Sequence, residues 1–299
     1  MKRIYTLYKI PRVAASIGIF DGVHRGHQKI LRRLVKEAKK KNLKSLVITF
    51  HPHPRKVLNP GSNIPFLTSL EHRSDLIKGL GVDLFLVIKF TKSLSRIKPD
   101  DFIRQVLIRR LNIKTLVVGE NFLFGHKEKG DLRLLKRMAG ECDFRLVHVG
   151  PLKIRKEYVS STRIRHAIER GDLRQASSML GRPVTVFGTV VKGRRLGRRL
   201  GFPTANINPH HEAIPPSGVY AVDVKMRKKN YKGILNIGMR PTFGKDNAET
   251  LELHILDFKN DIYGKDIEII FKRKIRNERR FSSSDALRVQ IRSDILKAR

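Results

Sequence analysis

The chain has little cysteine, and it has no segment with the sequence features of a membrane span or a secretion signal. A single cysteine, Cys142, occurs among 299 residues, which excludes a disulfide framework and favours a reducing compartment. No apolar run approaches the length of a transmembrane helix. The first residues, Met1 to Lys9, lack the apolar core of a signal peptide. We therefore expect a soluble, cytoplasmic protein of one or two domains.

Acidic residues are also scarce. The chain has 27 Asp and Glu residues against 63 Lys and Arg residues, so its formal net charge is +36. A field of this sign attracts RNA, DNA, acidic membranes and polyphosphate compounds. The basic residues are spread along the whole chain and do not form a tail. We interpret them as solvated helix faces, and we expect no membrane partner and no dedicated nucleic-acid partner.

The clearest chemical signal lies near the start of the chain. An apolar run from Ala14 to Phe20 meets the turn dipeptide Asp21-Gly22, and a basic, periodic segment follows. This order predicts a strand, a tight turn and a helix start. His24 and His27 stand three apart, on one helix face. Because helix N-termini attract phosphate, the two imidazoles indicate nucleotide chemistry.

The same residues resemble a known motif. The pattern Gly-x-Phe-Asp-Gly-x-His-x-Gly-His resembles the signature of the flavin-adenylating branch of the HxGH nucleotidyltransferase superfamily. It is matched by Gly18, Phe20, Asp21, Gly22, His24, Gly26 and His27. The resemblance implies that the first four bind ATP or its phosphates. It also implies that His24 and His27 are catalytic, as binders of phosphate in the transition state. The alternative is a surface turn with two solvated histidines.

Short apolar strands alternate with helical patterns through the first half of the chain. Strand-like runs cover 45–50, 82–88, 115–119 and 144–149, and helical patterns cover 26–41, 70–79, 99–111 and 132–138. This alternation predicts a Rossmann-like α/β fold, with a parallel sheet covered on both faces. Ligands of such sheets bind beyond the carboxyl ends of the strands. Neither a Walker A sequence nor G-x-G-x-x-G is present.

The pattern changes near residue 182. Strand-like runs at 184–191, 218–226, 231–238, 251–258 and 266–271 are separated by loops rich in Gly, Pro and Asn. They predict a compact antiparallel barrel or sandwich, which a helix over 283–299 follows. Two short helices, with C-terminal caps at Gly171 and Gly181, precede it. We therefore expect two domains, residues 1–181 and 182–299.

Two further segments of the first half resemble the flavin-adenylating family. Val118–Gly125 follows a strand and is similar to a segment beside the flavin and nucleotide, which implies flavin contacts for Asn121 and Phe122. A second segment matches the phosphate motif Ser-Ser-Thr-x-Ile-Arg, in which hydroxyls cap a helix whose N–H groups hold phosphate. The resemblance implies that Arg165 is catalytic. Phosphate contacts are implied for Ser160, Ser161, Thr162 and Arg163. A capped surface helix is the alternative.

A loop rich in glycine and arginine opens the second half. Gly193 and Gly201 let the backbone approach phosphates, and the arginines between them can close over ATP. Taken alone, this basic run is also typical of an RNA-binding or targeting patch. It ends in Gly-Phe-Pro-Thr-Ala-Asn, which resembles the riboflavin kinase signature. That resemblance implies that Thr204 and Asn206 give oxygen ligands to Mg²⁺ bound with ATP.

The strand-like run 251–258 carries a candidate base. Its alternation separates Leu251 and Leu253 from Glu252, and a glutamate on a ligand-facing side can act as general base. The resemblance implies that Glu252 takes the proton from the ribityl 5′-hydroxyl of riboflavin. A solvent-facing glutamate is the alternative. The loop that borders the flavin is matched by Arg276, Glu278 and Arg279. Arg279 and its neighbours also fit a plain charged loop.

Over essentially its whole length the chain resembles the bacterial bifunctional riboflavin kinase/FMN adenylyltransferases, or FAD synthetases. This implies that it converts riboflavin and ATP to FMN in the second domain, and FMN and ATP to FAD and pyrophosphate in the first. Flavins are then substrates and products, and Mg²⁺ accompanies ATP. Two alternatives remain: one active domain, or a basic RNA-binding protein on an inactive enzyme fold. His51 departs from the family pattern, and His51-x-His53 lacks the further ligands of a metal site.

Overall fold

The computed structural model describes residues 1–5, 11–61, 65–193, 200–227, 229–240 and 248–299. The chain forms two compact units. The first comprises Met1–Ile64 and Leu70–Ser160, and the second comprises Pro65–Ser69 and Ser161–Arg299. No helix within the described ranges combines the length and the hydropathy that a membrane span needs.

The first unit is built on a parallel sheet. Its six described strands are β1 (Lys2–Ile4), β2 (Val13–Ile17), β3 (Lys44–His51), β4 (Leu84–Lys89), β5 (Ile113–Gly119) and β6 (Arg145–Val149). They pair in the order β1-β4-β3-β2-β5-β6, and every pairing is parallel. A short hairpin follows, made of β7 (Lys153–Ile154) and β8 (Glu157–Tyr158). The predicted parallel sheet is confirmed, with β1 as a strand that the sequence did not indicate.

Helices cover both faces of the sheet. They are α1 (Arg25–Lys40), α2 (Pro54–Leu58), α3 (Leu70–Lys78), α4 (Pro99–Asp101), a π-helical segment (Phe102–Arg110) and α5 (Leu132–Glu141). Successive residues of β2 belong to opposite cores. Ala14 shares a hydrophobic cluster with Leu31 of α1, and Ala15 shares another with Leu135 of α5. Burial on both faces explains why this strand reads as a continuous apolar run.

The helix predicted over 99–111 is present but is wound differently from the expectation. It begins at Pro99 as an α-helix and continues as a π-helix from Phe102 to Arg110. At its end the Leu111 N–H donates to the Val106 carbonyl at 3.1 Å, a bond that spans five residues. The apolar spacing in this segment marks a buried helix but does not specify its winding.

The second unit begins with two short helices, α6 (Ser161–Glu169) and α7 (Leu173–Leu180). Gly171 and Gly181 follow them with φ angles of 77° and 73°, the left-handed conformation of a C-terminal cap. Both helices and both caps are confirmed. Because α6 and α7 group with the second unit, the two compact units meet in sequence at Ser160 and Ser161. The functional boundary between residues 181 and 182 stays a prediction.

A closed barrel forms most of the second unit. Its described strands are β9 (Thr185–Val191), β10 (Ala205–Asn208), β11 (Gly218–Met226), β12 (Lys229–Arg240), β13 (Ala248–Ile255) and β14 (Asp266–Arg276). They pair in the order β10-β13-β12-β11-β14-β9, and every pairing is antiparallel. The last helix, α8 (Ser284–Ala298), is capped by the Ser283 hydroxyl, which accepts from the Ala286 N–H at 3.1 Å. The predicted barrel and terminal helix are confirmed.

Candidate active sites

The two motif histidines lie at the start of α1, just past the carboxyl end of β2. The chain leaves β2 through a turn in which Phe20 and Gly22 have φ angles of 52° and 81°. His24 is the N-cap of α1, and its Nδ1 accepts a hydrogen bond from the His27 N–H at 3.3 Å. Their rings stack with centroids 3.6 Å apart. The turn and the cap therefore hold both imidazoles at a helix N-terminus, where phosphate binds favourably.

A buried ion pair supports this turn. The Arg73 guanidinium of α3 lies 3.8 Å from the Asp21 carboxylate, and each side chain is only 5% exposed. Sequence reasoning placed Asp21 in the motif but missed Arg73, because no local pattern distinguishes this arginine from the many solvated ones. The pair orients the motif carboxylate and places a positive charge near the histidines.

The surroundings of His27 favour its neutral form. Burial lowers the pKa of His27 well below its ordinary value of 6.5, and the neighbouring His24 and Arg73 lower it further. Within the described ranges, the buried Nδ1 atom of His27 has no hydrogen-bond partner. A neutral ring can offer a phosphate a hydrogen bond but not a full positive charge.

The segment after β5 lies at the same edge of the sheet, because β5 pairs in parallel with β2. Asn121 is exposed there, as the flavin contact predicted for it requires. Phe122 is partly buried and stacks on Phe124 with centroids 5.4 Å apart. Phe124 is buried in the core near Phe102. The flavin contacts of Asn121 and Phe122 stay predictions.

The Ser-Ser-Thr-x-Ile-Arg motif spans the sequence limit between the two units. Ser160 ends the first unit, and α6 of the second unit begins at Ser161. The motif hydroxyls therefore stand at a helix start, as the sequence predicted. Its side chains are partly buried at Ser161, Arg163 and Arg165 and exposed at Thr162. Joint action of this helix and the two histidines on one phosphate stays a prediction.

Three polar residues of the barrel lie in one row. Asn206 of β10 pairs with Glu252 of β13, and Glu252 pairs with Asn236 of β12. All three are partly buried, while Leu251 and Leu253 point the other way, into the barrel core. Directly opposed residues on antiparallel strands have Cβ atoms about 4.5–5.5 Å apart. The row therefore places the predicted base beside a predicted metal ligand.

The loop before β10 makes room for this row. A Cβ atom at Gly193 would stand 1.8 Å from the amide nitrogen of Asn206, so only glycine fits there without displacing that side chain. Gly201 has a φ angle of 88°, which also favours glycine. Thr204 lines a cavity of about 530 Å³ together with Leu253, whose side chain points away from the row. The arginines predicted to close over ATP, within 194–199, lie outside the described residues.

The oxygen donors at this site fit a magnesium–nucleotide complex. Thr204 and Asn206 stand two apart, and their hydroxyl and amide oxygens are hard ligands of the kind that Mg²⁺ shares with phosphates and water. The Asn206 amide fills the space that a side chain at Gly193 would take. In the described part of the chain, no group of three or more His, Cys, Asp or Glu side chains is placed to bind a metal. His53 instead caps α2 by accepting from the Arg55 N–H at 3.1 Å.

The two arginines predicted to border the flavin have partners within the protein. Arg276 donates from Nε to Oδ2 of the buried Asp294 at 2.9 Å. Arg279 donates to Gln290, and its guanidinium lies 4.8 Å from the centroid of the Phe281 ring. Arg276 therefore ties α8 to β14, and flavin contacts of both arginines stay predictions.

Comparison with known proteins assigns both halves of the chain. The FAD synthetase family matches residues 9–163, and the riboflavin kinase family matches residues 180–299. A bifunctional riboflavin kinase/FMN adenylyltransferase of Escherichia coli K12 is 37% identical, with 100% of this chain and 96% of the relative covered. This chain belongs to that bifunctional family. Its relative of the same name in Haemophilus influenzae is 38% identical, with 100% and 98% covered.

A solved structure also resembles the chain throughout. It is a crystal structure from Streptococcus pneumoniae, titled as a macrolide-efflux protein. It has a TM-score of 0.86 and 30% identity, and the match covers 99% of this chain and 98% of the other. Although its title names another activity, the match runs through both the parallel sheet and the barrel. Both folds therefore occur together in a solved structure, as they do in this member of the bifunctional family.

Proposed function

We propose that the chain makes FAD in two steps, as the names of its relatives indicate. The barrel unit phosphorylates riboflavin with ATP to give FMN and ADP. The HxGH site then transfers the adenylyl group of a second ATP to FMN, giving FAD and pyrophosphate. The observation that supports this most strongly is that each half carries its own site, with His24 and His27 in one and the Asn206–Glu252 pair in the other.

For riboflavin phosphorylation, Glu252 acts as the general base. It takes the proton of the ribityl 5′-hydroxyl as that oxygen attacks the γ-phosphorus of ATP. Thr204 and Asn206 hold the magnesium–nucleotide complex, with Asn206 directly opposite Glu252. Mg²⁺ held by these two residues would neutralise charge on the phosphate oxygens. The Gly193 and Gly201 loop approaches the phosphates, and Arg276, Glu278 and Arg279 border the flavin.

For adenylyl transfer, positioning and charge stabilisation replace a base, because the attacking phosphate of FMN is already an anion. That phosphate attacks the α-phosphorus of ATP, and pyrophosphate leaves. His24 and the neutral His27 bind the α-phosphate in the transition state of the transfer. Arg165 supplies positive charge that stabilises the negative charge on the phosphate oxygens there. Further nucleotide contacts come from Gly18, Phe20, Asp21, Gly22, Ser160, Ser161, Thr162 and Arg163, and flavin contacts come from Asn121 and Phe122.

The partners of this protein are then small molecules: ATP with Mg²⁺, riboflavin and FMN. We propose that it works in the cytoplasm, where its one cysteine stays reduced, without a membrane partner and without a dedicated nucleic-acid partner. The two alternative functions differ from this proposal in the flavin products that they predict. A chain with one live domain carries out one step alone, and an RNA-binding protein on an inactive fold forms no flavin product.

The test is to incubate the pure chain with riboflavin, ATP and Mg²⁺ and to separate the flavins by chromatography. We expect FMN and then FAD. His27→Ala should abolish FAD formation from added FMN and leave FMN formation intact, and Glu252→Gln should do the reverse. If either substitution blocks both reactions equally, the two-site proposal is wrong. If the parent chain gives no product from riboflavin or from FMN, the whole proposal is wrong.

A further inference from the structure

Asn236 occupies a place in the kinase site for which the sequence predicted no role. It stands directly across from Glu252, on the side opposite Asn206, so an amide flanks the predicted base on both sides. Its neighbours on β12, Leu235 and Ile237, are buried in the barrel core, which puts Asn236 on the face that carries Glu252. Asparagine is disfavoured in strand interiors, so its place in this row calls for a reason other than strand stability.

A second carboxylate lies on the other side of Asn236. Gly238 lies two residues further along β12, on the same face of the strand as Asn236. Because it has no side chain, the space above it on that face is open to a neighbouring group. The position of a Cβ atom there is 2.7 Å from Glu278 Oε1 and 3.6 Å from Asn236 Nδ2. The Glu278 carboxylate therefore folds over Gly238 next to the Asn236 amide. Asn236 stands between two carboxylates, one across the strand pair and one over the glycine.

The chemistry of the base explains why an amide suits this position. Glu252 must be ionised to accept a proton, and its carboxylate must point at the hydroxyl. A second carboxylate close by disfavours the ionised form. An amide N–H that donates to the base favours the ionised form and fixes its orientation. An aspartate of the same shape in this place would do the opposite, because it has no donor and carries a third negative charge.

We propose that Asn236 is a positioning residue for riboflavin phosphorylation, whose side-chain amide orients the Glu252 carboxylate towards the 5′-hydroxyl and separates it from Glu278. The inference rests on the proposed role of Glu252. In the step it serves, the hydroxyl proton moves to Glu252, an oxygen–phosphorus bond forms at the γ-phosphorus, and the bond to the β,γ-bridging oxygen breaks to release ADP. Asn236 itself neither gains nor loses a proton.

The test compares Asn236→Asp and Asn236→Ala with a matched control, Asn230→Asp. Asn230 lies on the same strand and is exposed, away from the row. We expect kcat for FMN formation to fall about 10- to 100-fold in both Asn236 variants, the range for losing a hydrogen bond to a charged group. The KM for ATP should change less than about twofold, because ground-state binding is untouched. Adenylylation of added FMN, and both reactions of Asn230→Asp, should stay at the parental rate.

A double-mutant cycle with Glu252→Gln separates positioning from general damage. If Asn236 acts through Glu252, Asn236→Asp should lower the residual single-turnover rate of the Glu252→Gln chain by less than about twofold. An equal loss in both backgrounds, or an unchanged kcat in Asn236→Asp, overturns the inference. Loss of FMN adenylylation in the Asn236 variants also overturns it, because it indicates unfolding. A parent chain that forms no FMN overturns the proposed function itself, and this inference with it.

Discussion

Arg73 lies outside the sequence motifs, but its replacement should impair the adenylyl-transfer site strongly. Arg73→Met leaves the Asp21 carboxylate buried without its 3.8 Å partner, and breaking a buried pair costs about 3–5 kcal/mol. It also removes one of the charges that lower the pKa of His27, so that pKa should rise. We expect loss of FAD formation from FMN, with FMN formation from riboflavin retained. Urea unfolding and the two flavin assays measure these effects.

An exposed ion pair of the same unit provides the control. Arg104 and Glu141 are paired at 2.5 Å, but both side chains are close to half exposed. Water screens such a pair, so Arg104→Met should cost about 0–1 kcal/mol and leave both activities intact. If Arg73→Met costs no more than Arg104→Met, burial of the Asp21–Arg73 pair has no energetic importance.

The sequence predicted the motif residues of the adenylyl-transfer site but not the residues that contact and orient them. The reason is the separation of the two groups along the chain. His24 and His27 are close to Asp21 along the chain, so a local pattern is enough to find them. Arg73 reaches Asp21 only because α3 packs against the turn. Nothing local separates it from the other basic residues. Asn236 likewise meets Glu252 only through strand pairing, which no local pattern records.

At the scale of elements, a side chain at Gly193, in the loop between β9 and β10, should lower the kinase activity. In Gly193→Ala the new Cβ takes the space of the Asn206 amide, which must then move from its place in the row. Because only the end of one side chain has to move, we expect a stability change below about 1 kcal/mol. Kinase kcat should fall by about tenfold or more, a loss that corresponds to about 1.4 kcal/mol. FMN adenylylation should not change.

Gly140 in α5 is the matched glycine, since a Cβ atom there meets open space. Gly140→Ala should raise the free energy of unfolding by about 0.5–1 kcal/mol, because alanine is the better helix former, and should leave both activities unchanged. If Gly193→Ala keeps the parental kinase rate, the Asn206 amide is not needed where the structure places it.

Strands and helices were predicted correctly from the sequence where the residues of the element itself show a typical pattern. The buried strands β2, β3, β4 and β5 are short runs of mostly apolar residues, and glycines follow α6 and α7 as caps. The sequence pattern does not predict a separate strand at β10, because its four residues, Ala-Asn-Ile-Asn, include only two apolar ones. Its pairing with β9 and β13 makes it a strand, and those partners are distant in sequence.

At the scale of the whole molecule, the sequence identified the family and the order of the two folds. Both are confirmed by the family matches at 9–163 and 180–299. Long motifs with fixed spacing made this possible. The sequence did not predict where the compact units meet, because α6 carries most of the phosphate motif yet groups with the second unit. Packing of that kind depends on contacts that no local spacing records.

The net charge of +36 should act on the two kinase substrates differently. ATP is a polyanion and riboflavin is neutral. Raising KCl from about 0.02 M to about 0.2 M shortens the screening length from about 20 Å to about 7 Å. The KM for ATP should therefore rise several-fold, since the basic surface attracts it less. The KM for riboflavin should stay within about twofold. Steady-state assays with each substrate varied in turn measure both quantities.

The neutral substrate makes this experiment decisive about the role of the charge. A salt effect on folding or on the loops around the site would change both KM values together. A field effect changes only the KM of the charged substrate, and the change follows ionic strength whichever monovalent salt is used. If both KM values rise in parallel, the charge does not serve ATP binding. In that case the basic residues are solvated faces without influence on the site.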